Sequence, residues 1–334
     1  MKIAIFHDFL DQKGGGERLV LETAKNLNAD IITAGFDKDI LSNLGFKDQK
    51  VIVLPSFTTN KRLRDFSAAF AFLNCNFSNS YDFFIFSGAL TLFASNKHSP
   101  NFFYCHETPE GILKPIFKKF IKNQKNIIAN SKRTEQKLLK EFKVKSKIIY
   151  PIITTNNFYN KKSKGYWLSV NRLYPRKRIG LQLDVFKLLQ NKKLIIIGDY
   201  HSRLAEEEYK DFLLKNKSSN VQFALNVTQK ELQKLYSECE GFIATSEDEP
   251  FGMSVVEAMA SGKGVVCVDE GGFRETVIDN KTGFLVNANP SDLVGAVNNV
   301  SRDPGRFKIA SIEQAKNFDS KIFFKNIKKE INLE

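Results

Sequence analysis

The chain has 334 residues, enough for about two domains. Its 42% apolar content excludes a disordered chain, and its formal charge of +13 favours anionic partners: nucleic acid, phosphorylated small molecules or acidic membrane surfaces. The longest apolar stretch, Phe83 to Ala94, is broken by Ser87, Gly88 and Thr91 and is too short to span a bilayer. The N-terminus M-K-I-A-I-F-H-D turns polar too soon for a signal peptide. Cys75, Cys105, Cys239 and Cys267 lack C-x-x-C spacing, so neither a zinc site nor a disulfide framework is expected, and a reducing cytoplasm is the natural setting.

The first predicted strand, Lys2–Phe6, leads into H-D-F-L-D-Q-K-G-G-G-E-R and a helix over Glu17–Leu27. Gly14, Gly15 and Gly16 would let backbone N–H groups approach a phosphate, with the helix dipole behind them; a plain flexible turn fits equally well. The segment is not G-x-G-x-x-G, and no Gly-Lys-Ser/Thr follows. After the strand Asp30–Ala34, Asp37-Lys38-Asp39 reads as the cap of a helix toward Leu44. Further strands are expected at Lys50–Leu54, Asp82–Phe86, Asn101–Cys105 and Asn126–Ala129.

His106, in Y-C-H-E-T-P-E, stands at the carboxyl end of its strand, on the side where α/β sheets bind ligands, although a single histidine there is more often structural than catalytic. His7 sits similarly after the first strand, while His98 and His201 read as loop residues. No two histidines share a helix at ligand spacing, so no metal is expected. From Gly111 to Tyr150 the chain carries 12 Lys and Arg against 2 Glu. Within this stretch Ile116, Phe117, Phe120 and Ile121 alternate with Lys118, Lys119, Lys122 and Lys125. Such a helix can lie on an anionic membrane, making Lys114–Lys147 the expected contact of a peripheral protein at the inner face of the plasma membrane. An ordinary helix with its apolar face inward is the alternative. The segment has no recognisable nucleic-acid motif, so no nucleic acid is expected.

Pro151 to Lys164 is polar and reads as a linker. Strands follow at Gly165–Val170, Lys193–Gly198, Asn220–Ala224, Gly241–Thr245 and Val265–Asp269. Arg172 and Lys177 bracket N-R-L-Y-P-R-K-R-I-G at a strand's carboxyl end, where two cations can clamp a diphosphate, although charges solvated on a loop fit equally well. Between the last two strands lies S-E-D-E-P-F-G-M-S-V-V-E-A-M-A-S-G. Its structural reading makes Glu249 one of three exposed acids and Ser254 with Glu257 an S-x-x-E capping box. No structural task for Glu249 is legible. A helix over Ser320–Ile331 closes the series, with an amphipathic pattern suited to packing. Alternating strands and helices predict an α/β chain of two doubly wound, Rossmann-like domains facing across a cleft. Residues 1–150 form the N-terminal domain, 151–164 the linker, 165–315 the C-terminal domain, and 316–334 a helix that can return to the first domain.

Together these segments resemble the retaining glycosyltransferases of the two-domain GT-B type, in the large family 4 that includes mannosyl- and glucosyltransferases. G-G-G-E-R resembles the family's Gly-Gly-Ala-Glu-Arg turn, Y-C-H-E-T-P its Tyr-Cys-His-Thr-Pro segment, and R-L-Y-P-R-K its Arg-Leu-x-x-x-Lys element. Glu249 and Glu257 fit its E-x7-E pattern, and E-G-G-F-R-E-T-V-I-D-N-K-T-G-F-L-V resembles the end of its donor-binding half. The chain departs from the family at Leu225, where Gly is usual, and at Glu107, which looks inserted. The resemblance implies a metal-independent enzyme without a cofactor, moving a hexose from a nucleotide-diphosphate sugar to a glycan or lipid-linked acceptor. By position, Glu249 would bind hydroxyls of the sugar, with N–H groups of Phe251, Gly252 and Met253 and the adjoining Ser254 near sugar and phosphate. Glu257 would hold the ribose, Arg172 and Lys177 would neutralise the diphosphate, Gly14 and Gly15 would approach the phosphates, and His106 would lie near the reacting sugar. A nucleotide-sugar epimerase or phosphorylase on the same fold, and a non-catalytic anion-binding module, are the competing readings.

Overall fold

The computed structural model describes residues 1–12, 14–58, 60, 63–111, 114–198 and 204–332. His201, read above as a loop residue, lies outside the described residues. The chain divides into two units, Met1–Pro151 with Phe323–Glu334, and Ile152–Ile322.

The first unit holds strands β1 (Ile3–His7), β2 (Asp30–Thr33), β3 (Val51–Val53), β4 (Phe83–Ser87), β5 (Asn101–Cys105), β6 (Ile127–Ala129) and β7 (Lys147–Ile148). They form one parallel sheet in the order β3-β2-β1-β4-β5-β6-β7. The second unit holds β8 (Tyr166–Val170), β9 (Lys193–Ile197), β10 (Val221–Ala224), β11 (Gly241–Ala244), β12 (Val265–Val268) and β13 (Gly283–Val286). These too are parallel, in the order β10-β9-β8-β11-β12-β13. Both sheets are doubly wound α/β layers, as the alternation of elements predicts. Helices cover both faces of such a sheet, which is why its central strands are continuous apolar runs: every residue of β1, β4, β11 and β12 is buried.

Each sheet reverses its winding once, between β1 and β4 and between β8 and β11. At such a reversal the connections leave in opposite directions and open a crevice beyond the strands' carboxyl ends. The residues there are His7-Asp8 and Ser87-Gly88 in the first unit. In the second they are Asn171-Arg172 and Thr245–Glu249.

Two strands were not foreseen. β7 has two residues, and β13 is half-exposed beyond its first residue, so neither leaves a clear apolar signature. The stretch read as a linker packs on the second unit instead. Ile152, Ile153 and Phe158 are buried, and Thr155 donates to Asp319 through its N–H (3.3 Å) and its hydroxyl (2.5 Å). Asp37 accepts from Asp39 N–H at 2.9 Å and caps the helix Lys38–Leu44. The final helix runs Ser320–Glu330, with Phe323 and Ile327 buried.

Candidate functional site

In the second unit the two loops at the β8/β11 reversal are tied to each other by their backbones. Glu247 N–H donates to the Arg176 carbonyl at 2.8 Å. The hydroxyl of fully buried Thr245 meets the carbonyls of Lys177 and Arg178 at 3.0 and 3.1 Å, and Gln182 donates to that hydroxyl at 2.9 Å. This scaffold brings Lys177 Nζ to 2.5 Å from Glu249 Oε2, with the two side chains only 14% and 15% exposed. Burial pushes the Glu249 carboxyl up, but the Lys177 charge and hydrogen bond, with Arg172 adding, outweigh it and hold the group below its ordinary value. Glu249 is therefore a part-buried, ionised carboxylate with a structural partner, not an exposed acid.

A third loop fixes the backbone of this segment. Gly272 N–H donates to the Glu249 carbonyl at 2.6 Å. Gly271 has φ +55°, and a Cβ there would stand 2.5 Å from the Glu249 carbonyl oxygen; one on Gly272 would stand 2.6 Å from Phe251 Cα. The glycines of E-G-G-F-R thus allow the two backbones to lie against each other.

Arg178, which the sequence did not single out, links all three loops. It takes the left-handed conformation at φ 47°, ψ 43°, which costs a non-glycine residue about 1 kcal/mol. Its guanidinium pairs with Glu270 at 2.7 Å and lies 3.7 Å from Glu247, while Glu270 accepts from Asp248 N–H at 3.2 Å. Nothing in R-K-R-I-G distinguishes this arginine from its neighbours.

The capping box read from Ser254 and Glu257 does not form. The helix starts at Met253 with Gly252 as its cap at φ 93°, and no side chain caps it. A Cβ on Gly252 would stand 2.8 Å from the Phe273 ring, so the turn needs glycine twice over. Ser254 consequently lies inside the first helical turn, half-buried beside Met253. The first N–H groups of a helix have no partners within it and form a positive end. Phe251 is buried edge-on against Phe318, ring centroids 5.2 Å apart, and anchors the turn. Glu257, also buried, accepts from the hydroxyl of fully buried Tyr236 at 2.9 Å. Leu225 is 44% exposed at the end of β10, followed by Asn226 at φ 55°.

In the first unit the β1/β4 reversal gathers His7, Asp8, Ser87 and His106. His7 Nδ1 donates to the Ser87 carbonyl at 2.6 Å, and the Ser87 hydroxyl shares a 2.7 Å hydrogen bond with His106 Nε2. Asn130 donates to the His106 carbonyl at 2.7 Å. Asp8 was missed, although an acid one residue beyond β1 at a winding reversal was a readable signal. Burial drives its carboxyl up, and despite His7 and the Leu90 and Thr91 N–H groups it reaches about 6. Gly88, at φ 133°, leaves room for it, since a Cβ there would meet the carboxyl carbon at 2.5 Å. Glu107, the inserted-looking residue, is paired with buried Arg133 at 2.7 Å.

Gly14 caps the helix Gly15–Leu27. A Cβ on it would lie 2.2 Å from Glu17 Oε2, so the buried Glu17 carboxylate is folded over the glycine turn. The structure therefore brings Arg172, Lys177, Glu249, Phe251, Gly252, Met253, Ser254 and Glu257 together in the second unit. Gly14, Gly15 and His106 belong to the first.

The profile of the family described as Glycosyl transferases group 1 matches residues 154–320, half of the chain. An alpha-1,3/1,6-mannosyltransferase of Dictyostelium discoideum is 27% identical over 307 residues, which cover 74% of this chain and 72% of the relative. An O-antigen chain mannosyltransferase of Salmonella typhimurium is 27% identical over 242 residues, covering 66% and 63%. The crystal structure of Anabaena HepE in complex with UDP-glucose superposes with a TM-score of 0.82 at 18% identity, covering 100% of both chains, so the fold is shared from end to end. Catalogued by its own loops and matched over half its length, the chain belongs to the group 1 glycosyltransferases and has the GT-B fold.

Proposed function

We propose that the chain is a retaining, metal-independent hexosyltransferase. It would take a hexose from GDP-mannose or a UDP-hexose and pass it to a glycan or lipid-linked acceptor. The observation that carries this reading is the part-buried Lys177–Glu249 pair at the β8/β11 reversal, beside Arg172 and a helix start. A nucleotide-sugar donor asks for this combination: cations and N–H groups for a diphosphate, and carboxylates for hydroxyls.

As the bond between the sugar and the diphosphate breaks, negative charge grows on the leaving group. Fixed cations and N–H dipoles lower the energy of that charge without reorganising. Lys177 has three N–H donors and gives one to Glu249, so it can serve a phosphate oxygen without leaving its partner. Arg172 offers a planar, bidentate fork to a second oxygen. The ionised Glu249 accepts from sugar hydroxyls, and Glu257, held by the Tyr236 hydroxyl, would accept from ribose hydroxyls. The acceptor hydroxyl then attacks the oxocarbenium-like carbon on the face the diphosphate leaves, passing its proton to the departing phosphate oxygen, and no covalent enzyme intermediate is needed. His106 would orient the reacting sugar.

The test is a thermal-shift screen with GDP, UDP, ADP and their sugars, since binding to the folded state alone raises stability. One nucleotide series should shift the melting temperature and be turned over in the presence of EDTA. No shift with any series would overturn the donor assignment. Conversion of donor without acceptor, seen by NMR, would identify an epimerase instead.

A further inference from the structure

Strand β4 ends on Ser87, beside His7 of β1 and next to β5, and His106 stands one residue beyond the end of β5. The main chain around His106 is held from two sides. Asn130, 5% exposed and just beyond β6, donates to the His106 carbonyl at 2.7 Å, and its own side-chain oxygen accepts from the Ser131 hydroxyl at 3.2 Å. The next residue, Glu107, is paired at 2.7 Å with the buried guanidinium of Arg133 on the helix Lys132–Lys137. These contacts place the backbone and leave the imidazole to be fixed separately. The ring lies against that of Tyr104, centroids 5.0 Å apart, and its Nε2 is 2.7 Å from the Ser87 hydroxyl.

The surroundings of Ser87 decide which way this bond runs. Ser87 is 2% exposed, and its carbonyl already accepts from His7 Nδ1 at 2.6 Å. Among the described residues its hydroxyl has no hydrogen-bond partner other than His106. The small cavity it borders is walled chiefly by Ile5, Val20, Ile85, Phe102, Phe323 and Ile327, an apolar lining unsuited to a water that could accept instead. If Nε2 carried the proton, the Ser87 oxygen would have to accept it, and the buried O–H would be left with no acceptor. A buried donor without a partner is the costlier arrangement. The hydroxyl therefore donates to Nε2, and the neutral ring carries its proton on Nδ1.

We propose that Ser87 is the positioning residue of His106: its hydroxyl fixes the ring and holds it as the Nδ1–H tautomer, so that His106 meets the reacting sugar as a hydrogen-bond donor to one of its oxygens. Ser87 acts through the imidazole and touches no substrate. Asn130 and the Glu107–Arg133 pair hold the backbone from which the ring projects, which gives the inserted-looking Glu107 a task. The inference rests on the reading above for the use of His106 in transfer, whereas the tautomer is read without any substrate.

The experiment reads the imidazole nitrogens of the full chain by long-range 1H–15N NMR at about pH 8, where an ordinary histidine is neutral. The chain has 4 histidines, and the signals lost in His106→Gln identify those of His106. The wild type should show the Nδ1–H tautomer, and Ser87→Ala a mixture of both forms. Ser87→Thr keeps the hydroxyl on a residue suited to a strand, and should keep the wild-type tautomer. In transfer assays Ser87→Ala should lower kcat about tenfold with the donor KM within about twofold, and Ser87→Thr should restore most of the loss. A wild type in the Nε2–H form would overturn the proposal whether or not either variant folds. So would Ser87→Ala with the wild-type tautomer, or with unchanged kcat. Absence of transfer by the wild type would overturn the functional reading and the part His106 plays in it, with the tautomer still decided by NMR.

Discussion

Replacing Lys177 by Met tests whether the Lys177–Glu249 pair is held together by burial as well as by charge. The ammonium lies 2.5 Å from a carboxylate that is 15% exposed, so its removal strands a part-buried charge beside the more exposed Arg172. Breaking a fully buried pair costs about 3–5 kcal/mol, and the residual exposure together with Arg172 reduces this to about 2–3 kcal/mol at neutral pH. Glu249→Gln leaves an amide oxygen for Lys177 and should cost about 1–2 kcal/mol. The double variant carries neither charge of the pair, so it should be more stable than Lys177→Met alone. That corresponds to a coupling of about 2–3 kcal/mol in a double-mutant cycle.

The pH dependence has a definite sign. In the wild type the Glu249 pKa lies below its ordinary 4.5, so its stabilisation is present above that value and lost as pH falls through the folded pKa. In Lys177→Met burial dominates and raises the pKa, so the group then favours the folded state at low pH and loses that effect as pH rises. The stability gap between wild type and Lys177→Met should therefore be widest near neutrality and shrink toward about pH 4. Urea unfolding of the four proteins across this range is the assay. A double variant destabilised by the sum of the singles, or a gap that does not change with pH, would refute the reasoning.

Three further substitutions follow from the loops and from the first unit. Arg178→Gly relieves the left-handed residue but cuts the tie to Glu270, so stability should stay within about 1 kcal/mol while kcat/KM for the donor falls about tenfold. Unchanged kcat/KM would show that the clamp does not position Lys177 and Glu249. Gly271→Ala puts a Cβ 2.5 Å from the Glu249 carbonyl oxygen at φ +55°, and should cost about 3 kcal/mol or more in calorimetry and abolish the nucleotide thermal shift. A variant of wild-type stability would mean the loops separate freely. Asp8 titrates at about 6 rather than 3.8, so its folded form favours the proton, and its contribution is complete below the ordinary value and lost as pH rises through about 6. Asp8→Asn should thus remove a loss of up to about 3 kcal/mol between pH 4 and pH 7. Parallel pH–stability curves for the two proteins would contradict the raised pKa of Asp8.

The fold was legible because buried parallel strands leave apolar runs that cannot be mistaken for loops, as in Phe83–Phe86 and Val265–Val268. β7 and β13 were not, being too short or too exposed to carry that signature. The residues of the candidate site were legible singly, each at a strand's carboxyl end. Their relations were not: Lys177 and Glu249 are 72 positions apart, and only the order β8-β11 makes them neighbours. The capping box failed because Gly252, at φ 93°, sets the helix start at Met253 and draws Ser254 into the first turn. Arg178 was invisible because its role depends on a backbone conformation that composition does not reveal. The linker was misjudged from polarity, since Ile152, Ile153 and Phe158 are its packing residues and the Asn, Thr and Lys around them face outward or bond to the second unit.

The central claim is that this chain transfers a hexose from a nucleotide-diphosphate sugar using the Glu249–Lys177 constellation, without a metal ion. Its most direct test is transfer from the nucleotide sugar selected by thermal shift to a lipid-linked or glycan acceptor, in EDTA, by the wild type and by Glu249→Gln. The wild type should transfer with retention at the anomeric carbon, and Glu249→Gln should lose about a hundredfold or more in kcat/KM while remaining folded. Equal transfer by the two proteins, or wild-type transfer that EDTA abolishes, would contradict it.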